Sequence, residues 1–143
     1  MRTIVMALVL LLAAGGARAD RVNGASEALN GFRAKVGLAP LAHSGQLQQA
    51  AERHARDLLA RGGLSHRGAD GSTVGDRVMR TGYRYCTVAE NIGRGQRSLE
   101  EIMLGWAGSD GHRANMLLAN VRNYGLAWEK GNIWVLVLAA PGC

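Results

Sequence analysis

The segment "NIWVLVLAA" near the C-terminus constrains the fold more than any other part of the chain. From Ile133 to Leu138 every residue is apolar. A strand with one wetted face alternates apolar and polar side chains, so an unbroken apolar run describes a strand covered on both faces. Just upstream, Tyr124, Leu126 and Trp128 alternate with small residues or Glu129, and Lys130-Gly131-Asn132 supplies a turn. The two runs read as a pair of strands joined at that turn. With the last strand apolar on both sides, each side needs a layer of cover.

The preceding residues supply helices for that purpose. Val22, Ala25, Leu29, Phe32 and Val36 recur at three- and four-residue spacing, which predicts one helix ending near Gly37. Pro40 marks a turn, and Ser44 is placed to cap a second helix with the stripe Leu47, Ala51, His54 and Leu58, stopped by Gly62-Gly63. The loop "LSHRGADGST" leads to a third helix beginning near Ser72 or Thr73, where Thr73 and Asp76 form a capping-box pair. "VAENIG" reads as a short extended segment. Ser98 and Glu101 form a second capping-box pair, for a helix carrying Leu99, Ile102, Met103 and Trp106, and a short helix follows from about His112 to Leu118. Helices first and strands last predict an α/β fold, with helices packed on both sides of a small sheet. The 143 residues leave room for one domain, and no repeat or linker divides them.

The N-terminus, "MRTIVMALVLLLAAGGARAD", has the layout of a secretory signal peptide. Arg2 gives the positive start, Ile4 to Ala14 the apolar core, and Ala17-Arg18-Ala19 the small-x-small cleavage site. Residues 1–19 are therefore expected to be removed, leaving residues 20–143 as an exported, periplasmic or secreted domain, expected to be a monomer. The apolar run is too short to span a bilayer comfortably, and no later run is long enough, so no transmembrane anchor is expected after cleavage. Of the formal charge of +6, Arg2 and Arg18 leave with the leader, so the mature domain carries +4. That charge favours acidic surfaces or polymers in a general way. The arginines are dispersed with few aromatic residues for stacking, which speaks against nucleic acid as a partner. Cys86 and Cys143 are the two cysteines of the chain. In an exported protein they predict one disulfide, and without a neighbouring cysteine or histidine cluster they do not make a structural zinc site.

Four histidines are candidates for chemistry. His54 falls in the apolar stripe of the second helix and reads as a hydrogen-bonded core or boundary residue, while His43 sits in a surface turn. His66 and His112 lie in the Gly/Asp/Ser-rich turns "SHRGADG" and "SDGHRANM", a composition that often carries function on a fixed scaffold. Two neutral imidazoles and a carboxylate make a reasonable set for zinc or another divalent cation. Glu90 is that carboxylate, an acid within an otherwise apolar short strand. A buried acid needs a partner, and its proton affinity can be tuned for general-base catalysis; alternatively it orients a histidine or a turn. Asn91 reads as structural, its amide tying down a turn. There is no Gly-x-Ser-x-Gly elbow, His-Glu-x-x-His motif, phosphate loop or dinucleotide fingerprint, and Ser65 and Ser109 have no local base to activate them.

Four stretches together resemble bacterial members of the CAP superfamily, the cysteine-rich secretory, antigen 5 and pathogenesis-related-1 type, also called the SCP domain. They are "ALNGFRAKVGLAPL", "LQQAAERHARDLLARGGLSHRGADGSTVGDRVMRTGY", "AENIGRG" and "WAGSDGHRANMLLANVRNYGLAW", in that order over the whole mature region. The resemblance implies a three-layer α-β-α sandwich with a small, mainly antiparallel sheet. It also implies an open cleft where His66, Glu90 and His112 converge to bind a ligand or, in some relatives, a divalent metal through the histidines. Many eukaryotic relatives add a glutamate three residues after the tryptophan matching Trp106. Here that position is Ser109, with Asp110 beside it. The lost carboxylate weakens both a full metal site and an acid/base pair. Three functions follow as expectations: an exported domain binding a small ligand or divalent metal; a metal-assisted, peptidase-like hydrolase with Glu90 as base; or an interaction module. Lipids, small molecules and cell-surface polymers are the expected partners, and the fold alone does not choose among them.

Overall fold

A computed structural model describes residues 16–143, so most of the expected signal peptide lies outside the described residues. Residues 16–22 are helical (α1) and are followed by α2 (Ala25–Ala34). The remaining elements are β1 (Ala42–His43), α3 (Gly45–Arg61), α4 (Val74–Met79), β2 (Tyr85–Arg94), α5 (Leu99–Ala107), α6 (Asp110–Met116), β3 (Asn123–Glu129) and β4 (Ile133–Pro141). The strands form one sheet in the order β1-β3-β4-β2. β4 is antiparallel to both neighbours, and β1 adds a two-residue parallel pairing to β3.

β4 is covered on both faces, as its unbroken apolar sequence requires. Ile133, Val135, Val137 and Ala139 pack with Leu47, Ala51, Ala55 and Leu58 of α3 and Val78 of α4. Trp134, Leu136 and Leu138 pack on the other side with Leu29 of α2, Ile102 and Trp106 of α5 and Met116 of α6. The result is the expected α-β-α sandwich: α3 and α4 in one layer, the sheet in the middle, and α2, α5 and α6 in the other layer.

The helix starts follow the capping residues. The Thr73 hydroxyl accepts from the backbone N–H of Asp76 while the Asp76 carboxylate accepts from that of Thr73, a complete capping box. Ser98 accepts from the Glu101 N–H, but the Glu101 carboxylate takes the N–H of Arg97 instead, so this box is half closed. Several segments differ from the sequence reading. The first apolar stripe is broken at Gly24, whose φ of 85° turns the chain between α1 and α2. α2 then ends at Ala34, which leaves Val36 59% exposed. The "VAENIG" strand is also longer than expected, running ten residues beside β4. Arg33 closes the end of α2 against α6: wholly buried, it donates to the carbonyls of Ala39, Met116 and Leu118.

The disulfide joins Cys86 at the start of β2 to Cys143 beyond β4, across 57 residues. A closed loop of that size is worth about 4 kcal/mol in the chain-entropy account. Gly125 of β3 lies directly beneath the start of α3, where a Cβ would overlap the backbone of Leu47 and Gln48. Neither strand nor helix backbone can rotate away as a side chain would. Gly125→Ala is therefore expected to destabilise the domain by about 3 kcal/mol, read as a lower denaturation midpoint in urea. An unchanged midpoint would show that α3 does not rest on β3 at this residue.

Candidate functional site

Strand alternation on β2 divides the site. Glu90 has the same parity as Ile92, which packs in the α3/α4 cluster, and Asn91 has that of Ala89, which packs in the α2/α5/α6 cluster. Consecutive residues of one strand therefore serve opposite layers. β2 is an edge strand, so groups from both layers can approach each other around its free side.

On the α3/α4 side Glu90 is 5% exposed, and both of its carboxylate oxygens are engaged. Oε1 accepts from His66 Nδ1 at 2.9 Å, and Oε2 accepts from Arg77 Nη2 at 2.6 Å. Arg77, itself buried on α4, also donates from Nη1 to the carbonyls of His66 and Ser72, both at 3.0 Å. It thereby neutralises Glu90 and fixes the backbone of the histidine loop. His54 on α3 completes the cluster. Its Nε2 lies 3.9 Å from Glu90 Oε1 and donates at 2.8 Å to the carbonyl of Ser65, which holds the loop from its other side. His54 is 1% exposed, the hydrogen-bonded core residue expected from its stripe.

His66 differs from the rest of the cluster, because 59% of its side chain is exposed. A carboxylate can only accept, so the bond to Glu90 places a proton on Nδ1, and in the neutral ring Nε2 carries the free lone pair. The hydrogen bond to Glu90 raises the His66 pKa, against a smaller opposing effect of burial. Burial lowers the pKa of His54, against the opposing pull of Glu90.

On the other side of β2, Asn91 is fully buried and donates to the carbonyl of His112 at 3.0 Å. Asn115 Nδ2 donates to Asn91 Oδ1 at 2.9 Å and to the carbonyl of Glu90 at 3.3 Å. These bonds fasten α6 to the open edge of β2, the tying role expected of Asn91. The His112 ring is half buried, 6.4 Å between centroids from Trp106. Its pKa is lowered by burial and then by the neighbouring His66. His66 and Glu90 are thus in direct contact, whereas His112 feels His66 through its charge and makes no side-chain bond to the cluster. Ser109 precedes α6 and its side chain caps nothing there, while Asp110 pairs with Arg113 at 2.6 Å. Neither replaces the glutamate missing from this position.

The residue that sequence reasoning missed is Arg77. An acid buried in an apolar strand requires a cation, and Arg77 lies on the helix that follows the first histidine loop. On a short helix among several arginines it reads as a solvated surface charge. Beside the cluster lies a cleft of about 250 Å3, lined by residues that include His54, Asp57, Ser72, Arg77 and Arg80. His66 and His112 stand outside it.

The comparisons with known proteins agree with this fold. Residues 26–138 match the model of the CAP family, the cysteine-rich secretory protein family. The chain is 33% identical over 109 residues to the uncharacterised protein YkwD of Bacillus subtilis, a match covering 76% of this chain and 42% of that one. Among solved structures it resembles an extracellular SCP-domain protein of Bacillus anthracis, with TM-score 0.75 and 25% identity, covering 78% of this chain and 37% of that one. It also resembles an outer surface protein of Borrelia burgdorferi, with TM-score 0.80 and 17% identity, covering 86% and 94% of the two chains. The fold and the site define a small α-β-α domain with a buried His/Glu/Arg cluster at a sheet edge. The chain belongs to the CAP family. It spans less than half the length of YkwD and of the Bacillus anthracis protein. The Bacillus anthracis protein is an extracellular one. Among the described residues no helix is long and apolar enough to cross a membrane.

Two outcomes follow from the charges. Replacing Glu90 by Gln leaves Arg77 buried without its counter-charge, so Glu90→Gln is expected to cost about 3 kcal/mol in denaturant unfolding. Second, the raised His66 pKa makes a stabilising contribution that is complete below the unfolded histidine value near 6.5 and is lost as pH rises through the folded value. The deficit of His66→Gln against wild type, measured with a chelator present, should therefore be larger at pH 5.5 than at pH 8.5. Equal deficits at both pH values would show that Glu90 does not hold the imidazolium.

Proposed function

We propose that the protein is an exported binding domain whose His66/His112 edge takes a divalent cation, zinc being the natural probe, or a small polar ligand that donates to an imidazole. The observation that carries this reading is the state of His66. Its Nδ1 is held by a buried carboxylate, and its other nitrogen belongs to a largely exposed ring. A histidine fixed by a carboxylate through one nitrogen presents the other in a defined tautomer and orientation, the arrangement that second-shell carboxylates give to metal ligands.

The donor set limits what can be held. Among the described residues no group of three or more His, Cys, Asp and Glu side chains could hold a metal ion together. Glu90 spends both oxygens on His66 and Arg77. The reading is therefore of an open cation site, with His66 and His112 as the protein ligands and water in the other positions. The residues do not fit a closed four-ligand site. A bound cation there would act as a Lewis acid. The chain's own residues do the positioning: Glu90 orients His66, Arg77 holds Glu90 and the loop, and Asn91 with Asn115 holds the backbone that carries His112. The hydrolytic alternative assigns Glu90 the role of base. With both oxygens engaged, the geometry supports Glu90 as an anchor and favours binding over catalysis.

The test is zinc titration by calorimetry on the disulfide-intact protein near neutral pH, beside the His66→Ala/His112→Ala double variant. Both histidines lie outside the packed core, so the variant should keep its melting temperature within a few degrees. One-to-one binding in the wild type, weakened at least tenfold in the variant, is the expected result. No binding in the wild type would end the metal reading and leave lipids, small molecules and cell-surface polymers as the ligands to screen.

A further inference from the structure

The hydrogen bonding of the sheet decides which backbone groups of β2 face outward. In an antiparallel ladder a residue turns its N–H and its C=O to the same side. Ala139 of β4 turns its carbonyl toward β3, where it accepts from Arg122. By alternation Trp134, Leu136, Leu138 and Ala140 bond the other way, to Gly93, Asn91, Ala89 and Thr87 of β2. Val88, Glu90 and Ile92 therefore point their backbone groups away from the sheet. Two of the outward carbonyls are taken, that of Glu90 by Asn115 and that of Ile92 by Trp106 Nε1, both at 3.3 Å. The Val88 N–H, the Val88 C=O and the Glu90 N–H have no partner among the described residues. Thr87, Val88 and Ala89 are only half-buried, so this part of the edge is open.

The open stretch is short and has a closed end. α6 blocks the edge at the Glu90 carbonyl through Asn115. A second copy of this chain does not suit such an edge: paired antiparallel about Val88, its own Cys86 would fall opposite Glu90, where Asn115 stands. Any other antiparallel strand meets the same amide if it is to use the Glu90 N–H. A strand parallel to β2 can use all three free groups and stop opposite Ala89, short of Asn115. Its last residue donates its N–H to the Val88 carbonyl and accepts from the Glu90 N–H, while the carbonyl two residues earlier accepts from the Val88 N–H. A strand that must end there, with an acceptor at its end, is the C-terminus of a peptide.

We propose that the free edge of β2 binds the C-terminal end of an extended peptide by parallel strand addition, its α-carboxylate received by the Glu90 N–H. Backbone pairing gives such a complex its register, and the carboxylate fixes where the chain ends. The carboxylate lies at the edge that His66 and His112 approach from either layer. The proposal names the ligand class of the binding edge described above and rests on that reading to this extent; it needs no bound cation. The Glu90 side chain is matched by Arg77 and does not confront the peptide with an unpaired negative charge.

The test varies the ligand, so no substitution has to fold. The probe is N-acetyl-Ala-Ala-Val-Ala with a free carboxylate, titrated into the disulfide-intact, 15N-labelled protein with a chelator present. Expected are saturable shifts of the Val88 and Glu90 amide protons. Binding should fall about tenfold or more for the C-terminal amide and for the peptide N-methylated at its last residue, each of which loses one hydrogen-bonding group. N-methylation of the penultimate residue, whose N–H points away from β2, should be tolerated, and acetate should leave the Val88 amide unshifted. No shift at millimolar peptide, equal binding of acid and amide, equal damage from the two N-methyl groups, or acetate matching the peptide would each overturn the proposal. The zinc titration is read separately: zinc binding without peptide binding ends this proposal alone, and peptide binding without zinc binding ends the cation reading alone.

Discussion

Glu90 can lie beneath the α3/α4 layer because Arg77 meets it at 2.6 Å, and much of the site's geometry depends on that pair. A carboxylate buried on an edge strand needs a counter-charge. Arg77 supplies it and uses Nη1 on the carbonyls of His66 and Ser72. One guanidinium thus meets the charge of Glu90, holds the path of the loop and, through Glu90, fixes the tautomer of His66. Lysine could not do the same, having a compact ammonium in place of a planar fork. The loop is held at its start by His54 and at its end by the capping box at Thr73 and Asp76, which fixes the backbone that carries His66.

The other half of the site depends on the pleat. Glu90 and Asn91 are neighbours in sequence and point to opposite layers, so His66 and His112 come from different sides of β2. They can approach each other because β2 has no strand beyond it among the described residues. An unprotected edge would expose free backbone groups to other chains. α6 covers part of this edge, with Asn115 taking the free carbonyl of Glu90. The same helix that protects the edge carries His112 to it, which couples the site to the stability of the sheet.

How much of this was legible in the sequence depends on the range of the interaction. The β4 sandwich was readable because an apolar run such as Ile133 to Leu138 has few other solutions. The Thr73 and Ser98 helix starts were readable because capping is a contact between residues three apart. The break at Gly24 was not, since the apolar stripe continues across it and only the backbone angle changes. β1 was missed because a strand of two residues has no periodicity; it exists through pairing with β3, eighty residues away. At the site, the acid in an apolar strand pointed to Glu90, and the resemblance to the CAP superfamily joined it to His66 and His112. Arg77 was hidden because nothing local distinguishes a buried arginine from a solvated one. Its role is defined by the long-range approach of α4 to β2.

Glu90 and Glu129 pose the same electrostatic problem in different circumstances. Both are acids almost wholly removed from solvent near opposite margins of one sheet. For Glu90 the counter-charge is on α4, inside the domain, held by hydrogen bonds to the loop backbone. For Glu129 it is Arg18, on the leader side of the expected cleavage point, held by the carboxylate alone among the described residues.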